Sequence, residues 1–252
     1  MPPRREARLL SRILRVGLLL AVLGQIAWSF MPATSHAQTD QLAAGKALYQ
    51  ANCSTCHGLQ AQGTTQAPSL QGAGAASVNF MLSTGRMPLA SPQHQPARSQ
   101  PKFDLDQIAA IVAYVQTIAP GGPAIPDVVP GEGNLTLGNA LFLGNCAACH
   151  GAGATGDSVG GGQIAPSLDP PTATQIGEAI RTGPGEMPQF GPQTLSDNDV
   201  NSLARYLLWV RDNGREGGLQ LGRVGPVAEG LVAVVIGLGA LILVIRLTGS
   251  KT

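Results

Sequence analysis

Cys53-Ser54-Thr55-Cys56-His57 recurs as Cys146-Ala147-Ala148-Cys149-His150, and the two copies use every cysteine in the chain. On a helix the second cysteine and the histidine follow the first by three and four residues, so all three project from one face. Cys-x-x-Cys-His is the attachment signature of a c-type haem: two thioether bonds to the haem edge and one imidazole nitrogen on the iron. A thioredoxin-like redox pair or four zinc ligands would use the same cysteines. Neither requires a histidine directly after each second cysteine, and cysteine pairs 93 residues apart suit a zinc ribbon poorly. Two copies therefore predict two covalently bound haem c groups.

The surroundings of the two motifs repeat as well. Gly45-Lys46-Ala47-Leu48-Tyr49 corresponds to Gly138-Asn139-Ala140-Leu141-Phe142, each starting eight residues before the first cysteine of its motif. Pro68-Ser69-Leu70 is echoed by Pro166-Ser167-Leu168, Gly85-Arg86-Met87-Pro88 by Gly185-Glu186-Met187-Pro188, and Ala113-Tyr114-Val115 by Arg205-Tyr206-Leu207. Similarity recurring in this order points to a duplicated fold. Each unit has a helix leading into the motif, Gly- and Pro-rich loops, and an amphipathic closing helix, in the first unit through Leu105, Ile108, Ile111, Val112 and Val115. Gly45 and Gly138, one turn before an aromatic residue, predict close approach of the closing helix at Tyr114 and Tyr206. Residues 119–133 hold four prolines and form the connector between the units. Only 4% of residues are aromatic and 12% charged, so a core of this size needs apolar mass from elsewhere, and a haem in each unit would supply it.

The histidines fill one axial position on each iron. Beyond His150 the only methionine is Met187, and its counterpart in the repeat is Met87. A thioether sulfur is a soft ligand that favours the ferrous state, which suits electron transfer. Met81 competes with Met87, but the repeat favours Met87. His36, near the expected cleavage site, and His94, in a polar Pro/Gln segment, are read as solvated side chains. With both axial positions filled, neither iron is open to peroxide or oxygen, which argues against a dihaem peroxidase.

The two ends of the chain point to a membrane. Arg4, Arg5, Arg8, Arg12 and Arg15 precede the mostly apolar run Val16 to Met31, and Ser35-His36-Ala37 suits signal-peptidase cleavage before Gln38. Residues 1–37 are thus an export signal or a signal-anchor. Without the first fifteen residues the chain has 11 basic and 14 acidic side chains, so no basic patch suggests nucleic acid. Near the other end, Leu231 to Ile245 has no charged or polar side chain. A transmembrane helix is expected at 227–247, with Glu229 near the outer interface, a juxtamembrane linker at 214–226 and a cytoplasmic tail at 248–252. Arg246 and Lys251 agree with a cytoplasmic end, while Arg211, Arg215 and Arg223 on the other flank weaken that charge bias.

With Gly85-Arg86-Met87-Pro88-Leu89-Ala90, the two haem motifs and the approach Gly225-Pro226-Val227-Ala228-Glu229-Gly230-Leu231, the chain resembles a known family. This is the dihaem cytochrome c subunit of the quinol:cytochrome c reductase, or cytochrome bcc complex, of high-GC Gram-positive bacteria. The resemblance implies a mainly α fold of two tandem class I cytochrome c-like domains, 38–118 and 134–213. It implies a cytochrome b subunit, a Rieske iron–sulfur subunit and an aa3-type oxidase as partners, membrane lipid around the anchor, and menaquinol as the ultimate donor. The chain itself would transfer electrons on the extracytoplasmic face of the plasma membrane, as part of an enzyme complex. Pro68 and Pro166 occupy the place where c-type cytochromes commonly carry a proline whose carbonyl orients the ligating histidine. A membrane-anchored dihaem cytochrome serving another dehydrogenase or oxidase is the alternative in the same class. Fused dihaem oxidase subunits usually carry their anchor before the haem domains, an order opposite to this one.

Overall fold

Two helix crossings, one in each half of the chain, set the architecture. The computed structural model describes residues 14–22, 25, 34–91, 96–213 and 230–249. The first half contains α1 (Thr34–Asn52), α2 (Ser54–His57), α3 (Gly74–Ser83) and α4 (Leu105–Ile118). The second contains α5 (Leu135–Asn145), α6 (Ala147–His150), the strands β1 (Asp157–Gly160) and β2 (Gln163–Ala165), then α7 (Ala173–Thr182) and α8 (Asp197–Asn213). A final helix, α9, runs over Gly230–Thr248. The fold is mainly helical, and β1 and β2 form an antiparallel hairpin with Ser158 opposite Ile164.

α1 packs on α4, and α5 packs on α8. The contact is a glycine in both cases. A Cβ on Gly45 would stand 2.0 Å from the Ala110 carbonyl oxygen and 2.9 Å from Tyr114 Cβ; one on Gly138 would stand 2.0 Å from the Ser202 oxygen and 2.8 Å from Tyr206 Cβ. This closeness brings Tyr49 against Tyr114 at 5.6 Å between ring centroids and Phe142 against Tyr206 at 5.5 Å. Both tilted pairs fall within the separation that aromatic rings favour. The close approach anticipated from the repeated glycines is thus realised in both halves.

Local chemistry fixes where the helices begin. Asp104 accepts a hydrogen bond from the Gln107 backbone N–H while the Gln107 side chain accepts from the Asp104 N–H, a capping box that starts α4. Thr172 and Gln175 do the same for α7, and Asn134 caps α5 by accepting from the Leu137 N–H. Two hydrophobic clusters result. Tyr49, Leu82, Ile111 and Val115 lie in the first; Phe142, Ile180, Leu203 and Leu207 lie in the second.

α3 was not anticipated, since the stretch between motif and closing helix reads as loops. Its counterpart in the second half is α7, and the two helices pack on each other. The glycine-rich stretch after His150, expected as a loop, holds the hairpin. The helix leading into the first motif already includes Thr34 to Ala37, so the expected boundary at 38 falls inside it. Residues 14–22 are helical with Leu18, Leu19 and Leu20 exposed. The side chain of His36, all of His94, the 214–226 linker, Glu229 and most of the expected signal region lie outside the described residues.

α9 has 19 residues, none of its most apolar window is buried, and it is long and apolar enough to cross a membrane. It includes a π-helical stretch at Ala233–Leu238.

The crossings give a direct test. Gly45→Ala and Gly138→Ala should each destabilise by about 1–3 kcal/mol, because the new methyl group meets a backbone carbonyl that cannot rotate away. Gly144→Ala, where a Cβ meets nothing within 4 Å, should be neutral or slightly stabilising. Thermal unfolding followed by far-UV circular dichroism reads all three; equal melting temperatures would dismiss the crossings as structural determinants.

Candidate haem-binding sites

Each motif folds as one helical turn that starts at its first cysteine. Cys53 and Cys146 take nearly the same backbone conformation, φ −122° and ψ −36° against φ −120° and ψ −35°. The N–H of His57 donates to the Cys53 carbonyl at 2.9 Å, and that of His150 to the Cys146 carbonyl at 2.9 Å. First cysteine and histidine therefore lie one turn apart on the same face, as the spacing requires.

The chain then folds back over the motif in the same way twice. The Gly63 N–H donates to the His57 carbonyl and Gly156 to that of His150; Leu70 donates to Ala61 and Leu168 to Ala154. Ala61 and Ala154 both adopt left-handed backbone, φ 56° and 57°, a conformation alanine rarely takes. The return carries a prolyl carbonyl to each imidazole. His57 Nδ1 lies 2.9 Å from the Pro68 oxygen, and His150 Nδ1 lies 2.9 Å from the Pro166 oxygen. A carbonyl only accepts, so Nδ1 must carry the proton. In the neutral ring Nε2 then keeps the lone pair and is the nitrogen able to bind a metal.

Met87 and Met187 sit in loops that share a left-handed glycine but otherwise differ: Met87-Pro88 is a cis peptide and Met187-Pro188 is not, and the Met187 N–H donates to the Pro184 carbonyl. Gly85 and Gly185, two residues before each methionine, have φ of 66° and 65°, in the left-handed region that glycine enters without strain. Met87 is packed against the first hydrophobic cluster together with Cys53, and Met187 against the second together with Cys146. Met81 lies on α3, and its carbonyl accepts from the Met87 N–H at 3.0 Å. In each half the fold thus brings a cysteine of the motif and the repeat-matched methionine to one apolar core.

All four cysteines are free of disulfide bonds. Burial pushes the Cys53 thiol up to about 11, with Lys102 opposing the shift and Cys56 adding to it. Burial, then Cys149, pushes Cys146 up to about 11. These thiols are protonated at neutral pH. Among the described residues no group of three or more His, Cys, Asp or Glu side chains is arranged to hold a metal ion among themselves.

Several supporting contacts could not be read from residue spacing. The Tyr49 hydroxyl donates to the Gly58 carbonyl at 2.7 Å, pinning the residue after His57, whereas Phe142 has no hydroxyl to do so. Thr64 Oγ1 donates to the Cys56 carbonyl at 2.6 Å. Tyr49 was conspicuous in sequence only as an aromatic ring at a repeated position.

Two family models match the chain: "Cytochrome c" over residues 42–119 and "Cytochrome C oxidase, cbb3-type, subunit III" over residues 133–207. The cytochrome bc1 complex cytochrome c subunit of Mycobacterium tuberculosis (strain H37Rv) is 37% identical over 253 residues, covering 95% of this chain and 90% of that protein. Its counterpart in Corynebacterium diphtheriae is 33% identical, covering 82% of this chain and 80% of that protein. The chain belongs to this family of cytochrome c subunits. The cbb3-type oxidase subunit CcoP of Cereibacter sphaeroides is a more distant relative, 29% identical over 65% of this chain and 59% of its own length.

Membership carries an electron-transfer role and covalently bound haem c. The residues present fit that group: thiols and an Nε2 lone pair on one helical face, with a soft sulfur packed on the same core.

In the haem-free chain, alkylation of Cys53 and Cys146 by iodoacetamide should accelerate up to about pH 11, following the thiolate fraction. Peptide mass spectrometry reads each site separately. Rates that level off near neutral pH would contradict the burial of these two thiols.

Proposed function

We propose that the chain is the dihaem c-type electron-transfer subunit of a menaquinol:cytochrome c reductase. It comprises two tandem class I cytochrome c-like domains, 38–118 and 134–213, with 119–133 as linker. The observation that carries this reading is the duplicated arrangement of a Pro-carbonyl-bound histidine Nδ1, with a motif cysteine and a methionine packed on one core. Cys53 and Cys56 attach the first haem and Cys146 and Cys149 the second. His57 and Met87 bind the first iron; His150 and Met187 bind the second.

Haem c, when bound, supplies one-electron ferric/ferrous chemistry. The protein does the rest. Pro68 and Pro166 hold each imidazole in one tautomer and one orientation, which strengthens Nε2 as a donor. Met87 and Met187 would offer the iron a soft thioether sulfur, a ligand type that favours the ferrous state. The apolar clusters keep water from the iron.

The relatives are named as subunits of a bc1 complex, which supports a cytochrome b subunit and a Rieske iron–sulfur subunit as partners. The chain would stand between the Rieske protein and an aa3-type oxidase. α9 would anchor it in the plasma membrane with both haem domains on the extracytoplasmic face and the C-terminus in the cytoplasm; residues 1–37 would serve as export signal or signal-anchor. A second reading, an oxidase-associated dihaem cytochrome, draws on the cbb3-type match over 133–207. The relatives aligned over 95% of the chain favour the reductase.

Purification in mild detergent decides between the two readings: b-type haem and a Rieske protein should accompany this chain, and their absence would remove the first. Met187→Ala should lower the second haem's potential by at least about 59 mV, a tenfold change for one electron, and leave its thioethers intact. An unchanged redox titration would reassign the ligand. Cys149→Ala should impair attachment in the second half alone, visible as an altered haem-linked mass.

A further inference from the structure

The two halves meet through polar side chains where α3 packs on α7. Asn79 Nδ2 donates to Glu178 Oε1 at 2.6 Å. Gln175 Nε2 donates to the Ser83 carbonyl at 3.2 Å and to its hydroxyl at 3.1 Å, and Arg98 donates to Gln175 Oε1. Glu178 is 0% exposed, and its second oxygen, Oε2, has no hydrogen-bond partner. Among the described residues, a carboxylate so placed has one neutral donor and no paired cation.

Among the described residues, none of the charged groups around it pairs with it. α3 carries none. Arg98 is held by Gln175, and Arg86 lies with its guanidinium 4.9 Å over the Phe80 ring, its buried Nη1 without a hydrogen-bond partner among the described residues. On α7 itself, Arg181 donates to the Phe190 and Leu195 carbonyls and pairs with Asp197 at 2.7 Å. On α8, the Asp199 carboxylate accepts from the Ser196 N–H and hydroxyl and Arg205 donates to the Gly133 carbonyl, while Tyr206 lies tilted against Phe142. Asp127 belongs to the connector whose Pro126 and Val128 side chains lie against Gly177. Burial accordingly pushes Glu178 up to about 7, with the Asn79 hydrogen bond opposing.

Its position links the two cores. Ile176 and Ile180, on either side of Glu178, belong to the cluster that packs Cys146 and Met187. Val78 and Leu82, on either side of Asn79, belong to the cluster that packs Cys53 and Met87. The carboxyl therefore lies at the contact between the elements that carry the two clusters.

We propose that Glu178 is a redox-linked proton site: its carboxylate takes up one proton from solvent when a one-electron donor reduces a haem held by an adjoining core. The proposal rests on the two-haem reading above. One electron converts ferric to ferrous iron, one proton converts carboxylate to carboxylic acid, and the net charge of the region is unchanged. The added electron makes the interior more negative, which favours the neutral acid. By linkage, protonation of Glu178 makes reduction easier, so the potential falls as pH rises through neutrality. It is level well below, where the group is protonated in both redox states, and well above, where it is ionised in both.

Spectroelectrochemical titration of the full haem-loaded chain from about pH 5 to about pH 9 tests this. The reduction equilibrium of at least one haem should fall about fivefold or more across the range. In Glu178→Gln, which keeps an acceptor for Asn79 but cannot titrate, the fall should disappear. Asn79→Leu should move it to higher pH, because the lost hydrogen bond holds the carboxylate's pKa down. Redox-difference infrared spectra should show a protonated carboxyl band gained on reduction and missing in Glu178→Gln. A level wild-type profile, or one that Glu178→Gln leaves unchanged, overturns the proposal. A purely structural carboxyl would alter the pH dependence of unfolding in Glu178→Gln and leave the redox slope as it was, which also overturns it. Haem-to-protein stoichiometry from the pyridine haemochrome of the same sample tests the two-haem reading separately.

Discussion

What each motif can do depends on which imidazole nitrogen carries the proton. A carbonyl at 2.9 Å from Nδ1 settles it twice, at Pro68 and at Pro166. That carbonyl is delivered by a chain reversal running from the left-handed turn at Ala61 or Ala154 to the prolyl residue. The reversal is held to the core by Leu70 in one half and Leu168 in the other, each donating to the left-handed alanine's carbonyl. The motif supplies the ligand atoms; the reversal gives them a direction. Neither half could hold an iron in a fixed geometry with the motif alone.

The helix crossings hold this arrangement in place. α1 and α5 lead directly into the motifs, so a shift of either helix moves a cysteine. Contact at Gly45 and Gly138 lets α4 and α8 approach until backbone meets backbone, and the tilted aromatic pairs then fill the space beside the crossing. With 4% aromatic residues, few other large side chains exist to do so. A haem inserted against the remaining apolar surface would complete each core, and so cofactor binding and folding are expected to reinforce each other.

Much of this was legible in the sequence because the repeat made small signals count twice. One glycine before an aromatic residue is ambiguous; two at equivalent positions before two identical motifs are not. The crossings, the methionine loops and the prolyl contacts all lie at repeated positions. α3 was not legible because it packs on both α4 and α7, so buried positions lie on more than one side and no amphipathic period emerges. Its N-cap, Ala73, makes no side-chain hydrogen bond either. The start of α7 was readable in principle from Thr172 and Gln175, three residues apart. The hairpin has only Val159 and Ile164 as large apolar residues, and its turn is Gly160-Gly161-Gly162, all with positive φ, so its composition reads as loop.

The contact between the halves follows a different logic from the contacts within them. Inside each half, apolar surfaces meet at glycines in close backbone contact. Between α3 and α7 the contact is a set of directional bonds: Asn79 to Glu178, Gln175 to Ser83 and Arg98 to Gln175. Such a network is satisfied in one register only, because any slip leaves buried donors without acceptors. It therefore fixes the two cores relative to each other more strictly than an apolar face would. For a chain whose family moves electrons, that fixed relation between the cores matters more than the binding energy of the interface. The cost is a carboxyl buried without a cation, and that cost is also what makes Glu178 responsive to charge arriving nearby.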